Sequence, residues 1–87
     1  MKEQSDDKAR MSAVVRTVRI LEVLSRAGSI NLENLSRETD LPKATLLRFL
    51  NTLSGLGYVC RDDTDYYSLT LKLFSIGSRA LGNTDII

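Results

Sequence analysis

The 87-residue chain has no histidine, no tryptophan, one cysteine and one proline. Without histidine there is no imidazole base, no histidine-based triad and no nitrogen ligand of the usual zinc kind. A single cysteine excludes both an internal disulfide and a cysteine-rich metal site. No metal, cofactor or catalytic residue is expected. Long apolar runs are missing too: nothing approaches the roughly 20 residues of a membrane-spanning helix. Residues 1–8 are too polar for a signal peptide, so a cytoplasmic location with no membrane partner is expected. At ~100–200 residues per domain the length allows one compact module.

What is present is ordinary in bulk: 43% apolar and 26% charged residues, the composition of a soluble globular domain. Twelve basic residues against eleven acidic ones leave a net charge of +1. The two signs are nevertheless segregated. From Leu41 to Arg61 the chain holds Lys43, Arg48 and Arg61 and no acid, whereas Glu33, Glu38 and Asp40 precede this window and Asp62, Asp63 and Asp65 follow it. A near-neutral protein built this way presents a local basic face.

Residues 1–10 mix acids and bases with almost nothing apolar, the composition of a disordered leader. From Ser12 to Ala27, Val14, Val18, Leu21 and Leu24 recur at helical spacing with Ile20 beside them, and Gly28 follows as a C-cap. Val15 and Val23 fall on the opposite face of this first helix, among charges, and read either as stray surface valines or as a dimer contact. Asn31 reads as the N-cap of a second helix ending near Thr39, with Ile30 and Leu35 placed as a hydrophobic staple. Asp40-Leu41-Pro42 stops it, and Pro42 opens a third helix over 42–56. There Leu46, Phe49, Leu50 and Leu53 form one buried stripe. Gly57 leaves the helix at positive φ with Tyr58 folding back on Leu53. Residues 58–61 and 66–70 are β-prone around the turn at 62–65, which predicts an antiparallel hairpin with Tyr67 and Leu69 on its core face. Leu71 to Leu81 returns to helical spacing.

Two short helices joined by a tight turn, the second followed at once by a hairpin, specify a mainly α winged helix-turn-helix whose second helix enters a major groove. Opposite its buried stripe that helix carries Lys43, Ala44, Leu47, Arg48 and Asn51, with Thr45 on the flank. Arg48 can fork onto guanine O6 and N7, and Asn51 can pair with adenine. Ala44 and Leu47 can meet a thymine methyl. Lys43, Thr45 and, at the root of the wing, Arg61 are suited to phosphate contact. The acids of the wing tip argue against its deep insertion into a minor groove.

Val18-Arg19-Ile20-Leu21-Glu22, the run from Leu41 to Leu50 reading Leu-Pro-Lys-Ala-Thr-Leu-Leu-Arg-Phe-Leu, Gly57-Tyr58-Val59, Tyr67-Ser68-Leu69-Thr70 and Leu73-Phe74-Ser75-Ile76-Gly77 resemble the DNA-binding domain of the IclR family of bacterial transcriptional regulators. The likeness runs from about Ala13 to Leu81. It implies dimerisation through the first and last helices, a near-palindromic operator in double-stranded DNA, and a further domain, not in this chain, that takes a small-molecule effector. The Leu-Thr-Leu-Lys-Leu-Phe stretch resembles members controlling sugar-acid breakdown. Where many members have glycine this chain has Asp40, which tolerates the left-handed region. The expected organisation is a leader at 1–10, the winged domain at 11–70 and a linker helix at 71–87, assembling as a homodimer or higher homo-oligomer. The competing reading is a winged helix that binds protein instead of DNA. Cys60 has no base to activate it and reads as a small packed thiol.

Overall fold

The computed structural model describes residues 12–83; the expected leader at 1–10 and the last four residues of the linker segment lie outside the described residues. Among the described residues four helices and a small sheet follow one another: α1 (Ala13–Ala27), β1 (Ile30–Asn31), α2 (Leu32–Thr39), α3 (Lys43–Gly55), β2 (Val59–Arg61), β3 (Tyr66–Leu69) and α4 (Leu71–Gly82). The expected hairpin is present, with Val59 opposite Leu69 and Arg61 opposite Tyr67. It is extended to three antiparallel strands in the order β1-β3-β2, because Ile30 and Asn31 pair with Tyr67 and Tyr66. The two-residue β1 is too short to be seen in the sequence; it exists because β3 offers it a ladder.

Local chemistry sets the element ends. Asn31 Oδ1 accepts from the Asn34 N–H at 2.9 Å, and both staple residues, Ile30 and Leu35, lie in the core. Asp40 adopts φ 61° and ψ 34°, as its short polar side chain allows. Around it Ser36 stitches the turn, its hydroxyl donating to the Leu41 carbonyl at 2.6 Å. Pro42 is the N-cap of α3, one residue earlier than its predicted place inside the helix. The end of α3 is a Schellman motif: Tyr58 N–H donates to Leu53 O at 2.9 Å and Gly57 N–H to Ser54 O at 3.0 Å, with Gly57 at φ 90°.

The core joins Ile20, Val23 and Leu24 of α1, Leu35 of α2, Leu46, Leu50 and Leu53 of α3, and Val59 and Tyr67 of the sheet. Two expectations for α1 are thereby corrected. Val23, expected on an outer face as a dimer contact, is 4% exposed within the core. Val14 and Val18, expected inside, are 71% and 46% exposed. The inward stripe runs through Ile20, Val23 and Leu24 at i, i+3 and i+4. It stops there because α2 and β3, eight and four residues long, can cover only part of the fifteen-residue α1. Val15 remains exposed, as expected. On α3, Phe49 is half-buried against the core rather than enclosed by it.

Among the described residues, Arg16 Nε is buried without a hydrogen-bond partner, whereas Thr39 is answered. Thr39, fully buried, donates its hydroxyl to Leu35 O at 2.7 Å, and its carbonyl accepts from Arg19 Nη1 at 3.3 Å, tying α1 to the end of α2. At the other side of the domain, Thr70 caps α4 and donates to Gly57 O at 2.6 Å. Lys72 reaches back over the Tyr58 ring to the Leu56 carbonyl at 2.7 Å. The first turn of α4 is thus clasped to the C-terminal end of α3, where a cation is favoured.

Candidate nucleic-acid interface

Helix α3 is held on the body by Leu46, Leu50 and Leu53, so its opposite row, Ala44, Arg48 and Asn51, faces solvent at i, i+4 and i+7. Among the described residues, Arg48 and Asn51 have no intramolecular side-chain partner, so both are available to a ligand. Together they line a groove with Ala13 and Thr17 of α1 and Thr52 of α3. Asn51 also borders a second groove, between α3 and the wing, with Ser54, Cys60 and Arg61. One concave surface therefore runs from the start of α1 across α3 to the root of the wing. Thr17, Thr52 and Ser54 on its margins were not singled out from sequence, since hydroxyls carry no periodic signal of their own.

Not every expected site residue lies on the outer row. Leu47 and Thr45 are half-buried on its flanks. Lys43 leaves the row altogether: at 100° per residue it projects beside Leu50, towards α2, and its Nζ lies 2.8 Å from Glu33 Oε1. Glu33 also lies 4.0 Å from Arg37. The hydrogen bond from Lys43, reinforced by its charge, holds the Glu33 carboxyl below the ordinary glutamate range. In the wing, Arg61 Nε lies 3.6 Å from Asp65 Oδ1.

Two further features shape the field. The N-terminus of α3 has no side-chain cap and no acid in its first turn, whereas Ser12, Asn31 and Thr70 cap the other three helices. Its free N–H groups form the positive end of the helix dipole, a setting for phosphate. The wing tip is folded tightly on itself. Asp62 Oδ1 accepts from Thr64 Oγ1 at 2.7 Å, Thr64 N–H at 2.8 Å and Tyr66 N–H at 3.0 Å. The Thr64 hydroxyl first, then these backbone donors, pull its pKa below the ordinary aspartate value. One carboxylate oxygen of the tip, Asp62 Oδ1, is thus engaged three times by the turn itself.

A helix-turn-helix with an uncapped, acid-free second helix presenting Arg and Asn outward, flanked by a wing, defines a DNA-binding winged-helix domain. The profile of the IclR helix-turn-helix domain matches residues 13–63. The chain belongs to that family. It is 42% identical over 78 residues to the HTH-type transcriptional regulator KdgR of Escherichia coli strain K12, a match covering 88% of this chain and 30% of the relative. It is 32% identical over 77 residues to the HTH-type transcriptional repressor AllR of Klebsiella pneumoniae, covering 86% and 28%. Among solved structures, an IclR family transcriptional regulator from Brucella abortus superposes with a TM-score of 0.76 at 26% identity, over 88% of this chain and 30% of that one. One from Alicyclobacillus acidocaldarius superposes with a TM-score of 0.73 at 31% identity, over 77% and 28%. The chain thus spans about 30% of the length of the curated relatives it matches. Among the described residues no helix is long and apolar enough to cross a membrane.

Proposed function

We propose that this chain reads an operator in double-stranded DNA with α3 in the major groove, Arg48 and Asn51 contacting base edges, and Ala44 and Leu47 meeting thymine methyls. Lys43, Thr45, Arg61 and the open N-terminus of α3 contact phosphates and fix register. The observation that carries this reading is the acid-free outer row of α3, whose two polar side chains have no partner within the described residues.

The functional unit is a homodimer on a near-palindromic site. Its support is apolar surface that the domain leaves uncovered: Val14, Val15 and Val18 on α1, and Leu71 and Phe74 on α4, a helix with no buried residue.

Selection of the chain from a pool of random duplexes tests the reading. It should return one enriched motif with inverted half-sites, and binding should weaken linearly in log K against log salt, by about 0.9 per phosphate neutralised. An unenriched pool, or binding indifferent to salt, would reject it in favour of a protein-binding module.

A further inference from the structure

Of the three basic residues between Leu41 and Arg61, the two suited to phosphate contact are each engaged by a carboxylate of the same chain. Lys43 lies 2.8 Å from Glu33 and Arg61 lies 3.6 Å from Asp65. Among the described residues, Arg48, the base reader, is the one with no acid against it. The Lys43 pairing is not a by-product of sequence crowding, because Glu33 comes from α2, ten residues away; Arg61 and Asp65 are four residues apart, across the wing tip. Both pairs are more than half exposed, so neither contributes much to holding the fold. Their effect falls instead on whatever approaches the same cations.

We infer that Glu33 and Asp65 act as internal stand-ins for DNA phosphate, setting the sequence-independent part of the affinity while leaving base reading to Arg48 and Asn51. The inference rests on the DNA-binding reading above. A phosphate approaching Lys43 must displace the Glu33 carboxylate or share the ammonium with it, and in both cases a negative charge remains close to the backbone. The same exchange operates at Arg61. Each acid cancels most of what its cation would add. The domain then clings weakly to arbitrary duplex, and its net gain on DNA comes from the uncompensated outer row of α3. Phosphate contacts carry no base information, so removing either acid should tighten binding to all sequences alike.

Two substitutions leave the fold intact. Glu33→Gln keeps the size of an exposed side chain. Asp65→Asn suits a residue already at φ 65°, a region asparagine tolerates well. Asp62 is left alone because it builds the turn. Binding of the full chain to the selected operator and to an unrelated duplex of equal length is measured over a salt series, with thermal melts as the folding control. Each variant should tighten both duplexes by the same factor, about two- to fivefold. Each should steepen the salt slope by up to about 0.9 and leave the selected motif unchanged. Lys43→Met should cost more in the Glu33→Gln background than in the parent chain.

Unchanged affinities and slopes in folded variants, or an equal cost of Lys43→Met in both backgrounds, would overturn the inference while the DNA reading stands. If the parent chain shows neither a selected motif nor salt dependence, the DNA reading fails and the inference with it.

Discussion

Replacing Arg48 by alanine separates recognition from folding. The guanidinium lies on the exposed row of α3 and has no intramolecular partner among the described residues, so its removal breaks no contact. The one bond at this position, from Thr52 Oγ1 to the Arg48 carbonyl at 3.1 Å, belongs to the backbone and survives. Alanine is as good a helix former as arginine or better, so the melting temperature should stay level. On the selected operator, loss of a bidentate contact to guanine should cost about 1–3 kcal/mol, or roughly 5- to 150-fold in Kd. On an unrelated duplex the loss should be smaller, that of one nearby positive charge. Fluorescence anisotropy on both duplexes measures the ratio, and repeating the selection should show relaxed preference at one position of each half-site. Arg48→Lys, which keeps the charge but not the fork, should lie between the two. An equal loss on every duplex would refute base reading by Arg48. A falling melting temperature would mean that the side chain supports the fold after all.

Leu50, fully buried in the centre of α3, should cost about 2–5 kcal/mol on substitution by alanine, most of the stability of a domain this small; Leu56→Ala, at an exposed position of the same segment, should stay within about 0.5 kcal/mol in urea denaturation. Asp40→Gly should raise the melting temperature and Asp40→Ala lower it, since φ 61° suits glycine and penalises a Cβ by about 1 kcal/mol; identical behaviour of the two would count against a left-handed turn. The Asp62 carboxyl, held low in the folded wing by Thr64 and Tyr66, binds its proton more weakly folded than unfolded. Its contribution is therefore complete above the unfolded pKa and is lost as the pH falls below about 4. The Thr64 and Tyr66 amide resonances should move over that range, and Asp62→Asn should abolish the movement.

Elements governed by neighbours in sequence were legible before the structure was. The Asn31 cap, the Ile30–Leu35 staple, the left-handed Asp40 and the Gly57 exit from α3 each depend on a few adjacent residues. The errors on α1 and β1 share one origin: they depend on what lies across from the element. The apolar residues of α1 support two stripes of similar quality, and only the short span of α2 and β3 decides that Ile20, Val23 and Leu24 face inward. A wheel drawn for α3 alone gives Ala44, Arg48 and Asn51 correctly. The same wheel puts Lys43 about 20° from Leu50, so grouping Lys43 with the DNA-facing arc is an error of projection; only its contact with Glu33 lies beyond what the wheel can show. β1 fails as α1 does, being a strand only by virtue of Tyr66 and Tyr67, 35 residues or more away along the chain.

Helix α4 has a thermodynamic consequence that its geometry alone does not express. A twelve-residue helix with no buried side chain is close to the length at which an isolated helix in water is only marginally populated. Thr70 and Lys72 secure its first turn, which supplies the costly nucleus. Propagation beyond that turn is governed by what rests on Leu71 and Phe74. Under the proposed homodimer, the helical content of this segment varies with association. Circular dichroism should gain helix as the chain is concentrated or given its operator, and order in α4 becomes the quantity through which assembly and DNA occupancy are linked.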